Sequence, residues 1–108
     1  MTPDDKTSTT IWVRDYGTIL NYTNKDEKNG IHFRDTVLIP ALMKYEHVKV
    51  NFRSVEILSN EFIMDAFGTL PAKGYEYDVL ADWMLIFSPD HLGWIDKIWN
   101  AIHARSYQ

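Results

Sequence analysis

The sequence predicts a small α/β or α+β sandwich, a mixed sheet of about four strands with about three helices packed on it in the order ββαβαβα. Three observations lead there. The chain has 108 residues, the length of one domain. Its hydrophobic period changes from about 2 to about 3.6 and back more than once along the chain. After an opening pair of β-prone stretches, single strands alternate with helices, which implies parallel pairing through right-handed crossovers.

The first eight residues, MTPDDKTS, are polar and include a proline, the composition of a frayed terminus. The single domain is therefore expected over residues 9–108. Residues 10–15 (TIWVRD) and 18–23 (TILNYT) are rich in β-branched and aromatic side chains and are separated by Gly17, which suggests a hairpin. The charged, apolar-free run at 24–30 (NKDEKNG) then reads as an exposed loop.

Beyond the loop, Phe33, Val37, Leu38, Ala41, Leu42 and Tyr45 fall on one stripe of a 3.6-residue helix. Pro40 lies inside that stripe and cannot donate to the Thr36 carbonyl, so a kink or restart is expected there. Residues 48–52 (VKVNF) alternate Val48, Val50 and Phe52 against Lys49 and Asn51, the pattern of a strand with one buried face. Ser59 is placed to cap the next helix, with Glu61 in its first turn and Leu58 and Ile63 as a hydrophobic staple. Phe62, Ile63, Ala66, Phe67 and Leu70 form its apolar face, Pro71 ends it and Lys73-Gly74 makes a turn. The unbroken apolar run 83–87 (WMLIF) suits a central strand covered on both faces. Ser88-Pro89-Asp90 then opens the last helix, Phe87 stapled on Leu92, with Leu92, Ile95, Ile98, Trp99 and Ile102 as its stripe. Trp83 and Trp99 are expected in the core, and Trp94 and Trp12 nearer the surface.

Composition limits the function. With 45% hydrophobic and 24% charged residues, the chain matches soluble globular domains, and at this size it buries roughly 65% of its unfolded surface. A net charge of −4 and a pI near 5.4 give no global attraction for phosphate backbones, so nucleic acid is not an expected partner. No cysteine is present, which removes disulfides, thiolate nucleophiles and zinc-thiolate sites and favours an intracellular chain. No stretch approaches the ~18 apolar residues of a membrane span, and no apolar signal segment opens the chain. The expected location is cytoplasmic, without membrane association.

Chemistry-bearing patterns are sparse. The histidines at 32, 47, 91 and 103 share no metal-binding spacing, and no glycine-rich phosphate loop or nucleophile elbow occurs. Neither a metal nor a cofactor is expected. Glu61 and Asp65 share a helix face and could in principle do acid–base work, although a hydrated acidic surface that recruits a basic partner is the plainer reading.

The stretch VKVNFRSVEILSNEFIMDAFGTL (48–70) is more specific. Its Asn51-Phe52 pair, Ser59-Asn60-Glu61-Phe62 helix start and Asp65-Ala66-Phe67-Gly68 run, with the earlier Gly30-Ile31-His32-Phe33-Arg34, resemble the STAS-like domains of bacteria and phages. These are related to sulfate transporter and anti-sigma factor antagonist domains. Asn51 stands where the family usually has aspartate, and Ser59 and Phe62 are further apart than the family's adjacent Ser-Phe. The resemblance covers about residues 29–70. It implies a non-enzymatic regulatory module that engages a protein partner, such as a kinase-like ATPase, through Glu56, Ile57, Leu58, Ser59, Asn60, Glu61 and Asp65. It also implies that Ser59 is the position of a phosphorylation switch. The alternatives are a phage-borne or defence-related inhibitor, a self-associating structural domain or homodimer, and a small nucleotide-binding enzyme.

Overall fold

A computed structural model describes residues 7–21 and 28–106. The tail expected over residues 1–8 falls mostly outside this range, as does most of the charged run at 24–30. The first strand, β1 (Ser8–Trp12), alternates outward Ser8, Thr10 and Trp12 with inward Thr9 and Ile11. A four-residue helical turn, α1 (Val13–Tyr16), follows and buries Val13 completely. Next comes the two-residue strand β2 (Ile19–Leu20).

The helical stretch over 30–44 has three parts: α2 (Gly30–Phe33), a π-helical turn (Arg34–Leu38) and α3 (Ile39–Lys44). Asn29 caps it, its Oδ1 accepting from the His32 N–H at 2.9 Å. The π turn stands where the sequence places a discontinuity. Pro40 offers no N–H to Thr36, and the Ile39 N–H bonds five residues back to the Arg34 carbonyl. The apolar stripe still reaches the core, with Phe33 and Leu38 fully buried and Leu42 nearly so.

Two strands follow, β3 (His47–Asn51) and the short β4 (Ile57–Leu58), then α4 (Asn60–Ala66). A 3-10 turn at Pro71–Lys73 ends at Gly74 in the left-handed region, φ 95°. Then come α5 (Tyr77–Trp83), β5 (Met84–Phe87) and α6 (Gly93–Ser106).

Among the described residues, all pairing is parallel. β1, β3 and β5 form one sheet in that order, with Trp12, Asn51 and Phe87 in register, and β2 pairs with β4 in a second, two-stranded sheet. The expected β1–β2 hairpin is therefore not formed. α1 turns the chain as Val13 enters the core, so the two strands join different sheets. In place of the expected mixed four-stranded sheet, the described residues form five strands in two parallel sheets.

The run at 83–87 also differs from expectation. Trp83 ends α5 and is 41% exposed, and β5 is an edge strand whose residues alternate inward and outward. The last helix starts at Gly93, because Ser88 is spent on the turn before it, its hydroxyl donating to the His91 carbonyl at 2.7 Å. Leu92 and Phe87 are both exposed and make no buried staple. Trp99 is only partly buried.

One contiguous core joins Ile11, Val48, Val50, Met84 and Ile86 of the sheet to Phe33, Phe62, Phe67, Leu80, Ile98 and Ile102 of the helical layer. No helix among the described residues is long and apolar enough to cross a membrane.

Candidate functional site

The loop leaving β3 is pinned at three points. The Phe52 N–H donates to the Phe87 carbonyl at 2.8 Å, and Phe52 and Val55 drive their side chains into the core. Between them the chain makes a tight turn closed by the Val55 N–H on the Phe52 carbonyl. Ser54 sits in the left-handed region at φ 68°, a backbone that costs a residue with a Cβ. Two acceptors hold this turn: Asn51 Oδ1 takes the Arg53 N–H at 2.9 Å, and Asp90 Oδ2 takes the Ser54 N–H at 3.0 Å.

Further along, the Glu56 and Ile57 N–H groups both donate to the Thr18 carbonyl, at 2.7 and 3.2 Å, and the Ser59 N–H donates to Leu20. β2 thus holds the second half of the loop in an extended shape. Glu56 is exposed and Ile57 is 46% exposed, whereas Leu58, at 7%, turns inward. Leu58, named with Ile57 in the expected contact set, is thus the inward member of the pair. The period-2 alternation of an extended segment sends Leu58 to the core when Ile57 faces out.

Ser59 is the N-cap of α4. Its backbone is extended, its Oγ accepts the Phe62 N–H at 3.1 Å, and its side chain is half-buried. Asn60 and Glu61 in the first turn are exposed. Glu56, Ile57, Ser59, Asn60 and Glu61 therefore come together on one ridge.

Asp65 faces elsewhere. It lies at the crossing of α4 with α2, where a Cβ on Gly30 would come within 2.7 Å of the Asp65 Cβ and of the Phe62 carbonyl. Asp65 Oδ2 is shielded from solvent with no hydrogen-bond partner. Burial, followed by the neighbouring Glu61 carboxylate, raises the Asp65 carboxyl above its ordinary value, while Arg34 opposes the rise. Arg34, the first residue of the π turn, is itself buried and donates to Thr69 Oγ1, just past the end of α4, at 3.0 Å and to Asp35 at 2.7 Å. The Gly30–Arg34 and Asp65–Gly68 stretches are thus two halves of one helix–helix contact.

The turn after β3 abuts the start of α6, where the sequence sets Trp94 toward the surface without indicating His91 as its partner. His91 stacks on Trp94 with ring centroids 4.0 Å apart, and Trp94 meets Phe52 edge-on at 6.1 Å. The i, i+3 spacing of His91 and Trp94 was visible, but the late helix start that sets their orientation was not. Among the described residues no three His, Asp or Glu side chains gather into a metal-binding group. Comparison with family models, curated proteins and solved structures returns no match.

Proposed function

We propose that the chain is a non-enzymatic regulatory interaction module with a STAS-like fold, resembling anti-sigma factor antagonists. It binds a protein partner, such as a kinase-like ATPase, through the loop and helix start at 56–65. One observation carries this reading: Ile57, an apolar side chain 46% exposed, stands between exposed Glu56 and Glu61 on a backbone fixed to Thr18 and Leu20. A rigid apolar anchor within an acidic rim suits a partner surface with an apolar pocket and basic edges. Leu58 and Asp65 support the ridge from beneath and from the α2 side.

In this reading Ser59 is the switch. A phosphoryl group there adds about −2 of charge to a rim that already carries Glu56 and Glu61, so a partner selected for the unmodified surface is released or exchanged.

The test is affinity capture with the wild-type chain, followed by titration calorimetry with the captured protein. Ile57→Asp and Ser59→Asp should each weaken binding at least about tenfold, a change of about 1.4 kcal/mol, while Met43→Glu, at an exposed position of α3 outside the ridge, leaves it unaltered. Equal affinity for all four chains would remove the rim from consideration.

A further inference from the structure

Among the described residues, the three-stranded sheet has one covered face and one open face. The covered face carries Ile11, Val48, Val50 and Met84 into the core, whereas Trp12, Leu85 and Phe87 on the other side are 40%, 60% and 37% exposed. Trp83, at 41%, continues this surface. An open cleft of about 570 Å³ crosses it, lined by Ser8, Thr10, His47, Lys49, Trp83 and Leu85 among others.

Topology explains the asymmetry. Parallel crossovers are right-handed in nearly all proteins, and a strictly sequential strand order, β1-β3-β5, sends every connecting helix to the same side. Purely parallel sheets nevertheless occur almost only with both faces covered. The composition of β5 agrees: Met84, Leu85, Ile86 and Phe87 are apolar on both faces of the strand.

We propose that a second copy of this chain covers the open face, the two sheets stacking about a twofold axis that runs along β3. This surface is separate from the 56–65 rim. The area is sufficient. Aromatic side chains offer roughly 150–250 Å² each, so the partly exposed Trp12, Trp83, Leu85 and Phe87 with their polar neighbours present on the order of 600 Å² per copy. A stacked pair covers about 1,200 Å², where stable specific interfaces begin.

The relief is self-complementary. Large side chains line the β5 flank, and small Ser8 and Thr10 line most of the β1 flank. A twofold axis along β3 lays each copy's β5 over the other's β1. Register then sets Leu85 over the second copy's Thr10, since both pair with Lys49, and Phe87 over the second copy's Trp12, since both pair with Asn51. Lys49 lies near the axis, where two like charges meet, but its ammonium is turned aside onto the Phe87 ring, 4.4 Å from the centroid.

Sedimentation equilibrium of the intact chain over micromolar to submillimolar concentrations tests this. The wild type should run at twice 12.7 kDa. Leu85→Glu and Thr10→Arg, both at exposed positions, should each raise the dissociation constant at least about tenfold while far-UV circular dichroism stays unchanged. Lys49→Met should tighten the dimer, and Trp12→Ala with Phe87→Ala should be non-additive because the two rings oppose each other. A wild type that is monomeric throughout overturns the proposal, including one that captures a different protein on this face. A dimer indifferent to both Leu85→Glu and Thr10→Arg, or one broken by Ile57→Asp instead, overturns it as well.

Discussion

Gly30 and Asp65 bring α2 and α4 into backbone contact: a Cβ at residue 30 would stand 2.7 Å from the Asp65 Cβ and 3.0 Å from the Ala66 nitrogen. Real Cβ atoms do not approach backbone this closely, so any side chain there must push the helices apart. Gly30→Ala is expected to destabilise the fold by about 1–3 kcal/mol, the usual range for overpacking. Urea unfolding should show a lower midpoint at constant slope. Gly93→Ala is the control, since nothing lies within 4 Å of its Cβ, and it should not destabilise the fold but stabilise it by up to about 1 kcal/mol.

Features set by short-range chemistry were the ones legible in the sequence. The Phe33-to-Tyr45 stripe, the alternation in β3, the Ser59 cap and the break at Pro40 each depend on neighbours within a turn or two, and each is present. Pairing was less legible. Whether β1 and β2 form a hairpin or join separate parallel sheets depends on where Val13 is buried, a long-range matter. The helix α5 escaped notice because only Leu80 of its seven residues is buried, too little to make a stripe. An unbroken apolar run such as 83–87 has no period to read, so its division between α5 and an edge strand was hidden. At the rim, Glu56, Ile57, Asn60 and Glu61 were named only through the resemblance, and their exposure comes from the structure. The inward turn of Leu58 required knowing that β4 pairs with β2.

The raised Asp65 carboxyl makes a signed prediction about pH. Its folded state holds the proton more tightly than the unfolded chain, whose value lies near 3.8. The stability it contributes is therefore fully present below that value and is lost as pH rises through the higher folded value. Asp35 works the other way. Its hydrogen bond from Arg34 lowers its carboxyl, so its contribution is present above 3.8 and is lost as pH falls through the lower folded value. Asp65→Asn should remove the first dependence alone. Compared with the wild type, it should gain stability on going from pH 3.5 to pH 7, measured as the difference in urea midpoint, and a constant difference across that range would refute the assignment.

Ser59 permits structural and switching roles to be separated. Ser59→Ala loses the acceptor for the Phe62 N–H, bonded at 3.1 Å, and should cost about 1 kcal/mol. Ser59→Asp keeps a capping oxygen and places a negative charge at the positive end of the helix, so its stability should stay within about 0.5 kcal/mol of the wild type. Thermal unfolding checks both. If Ser59→Asp unfolds as readily as Ser59→Ala, a loss of partner binding in that variant would say nothing about charge.

Ser54 occupies the left-handed region at φ 68°, and the compensation is visible in its N–H, 3.0 Å from Asp90 Oδ2. The carboxylate ties the turn after β3 to the segment after β5, across two chain passages that leave the same end of the sheet. Ser54→Gly removes the clash of Cβ with the carbonyl while preserving the N–H, so the hydrogen bond survives. Relief of the left-handed strain outweighs the freedom glycine adds to the unfolded chain, so the variant should stabilise the fold by up to about 1 kcal/mol. Asp90→Ala preserves the strained backbone and removes its acceptor, and should cost about 1 kcal/mol. In the double variant the glycine gain should persist, because relief of the strain does not depend on the acceptor. If Ser54→Gly instead lowers the urea midpoint, then the serine side chain contributes something to this turn that outweighs its backbone cost, and the turn is held by more than Asn51 and Asp90.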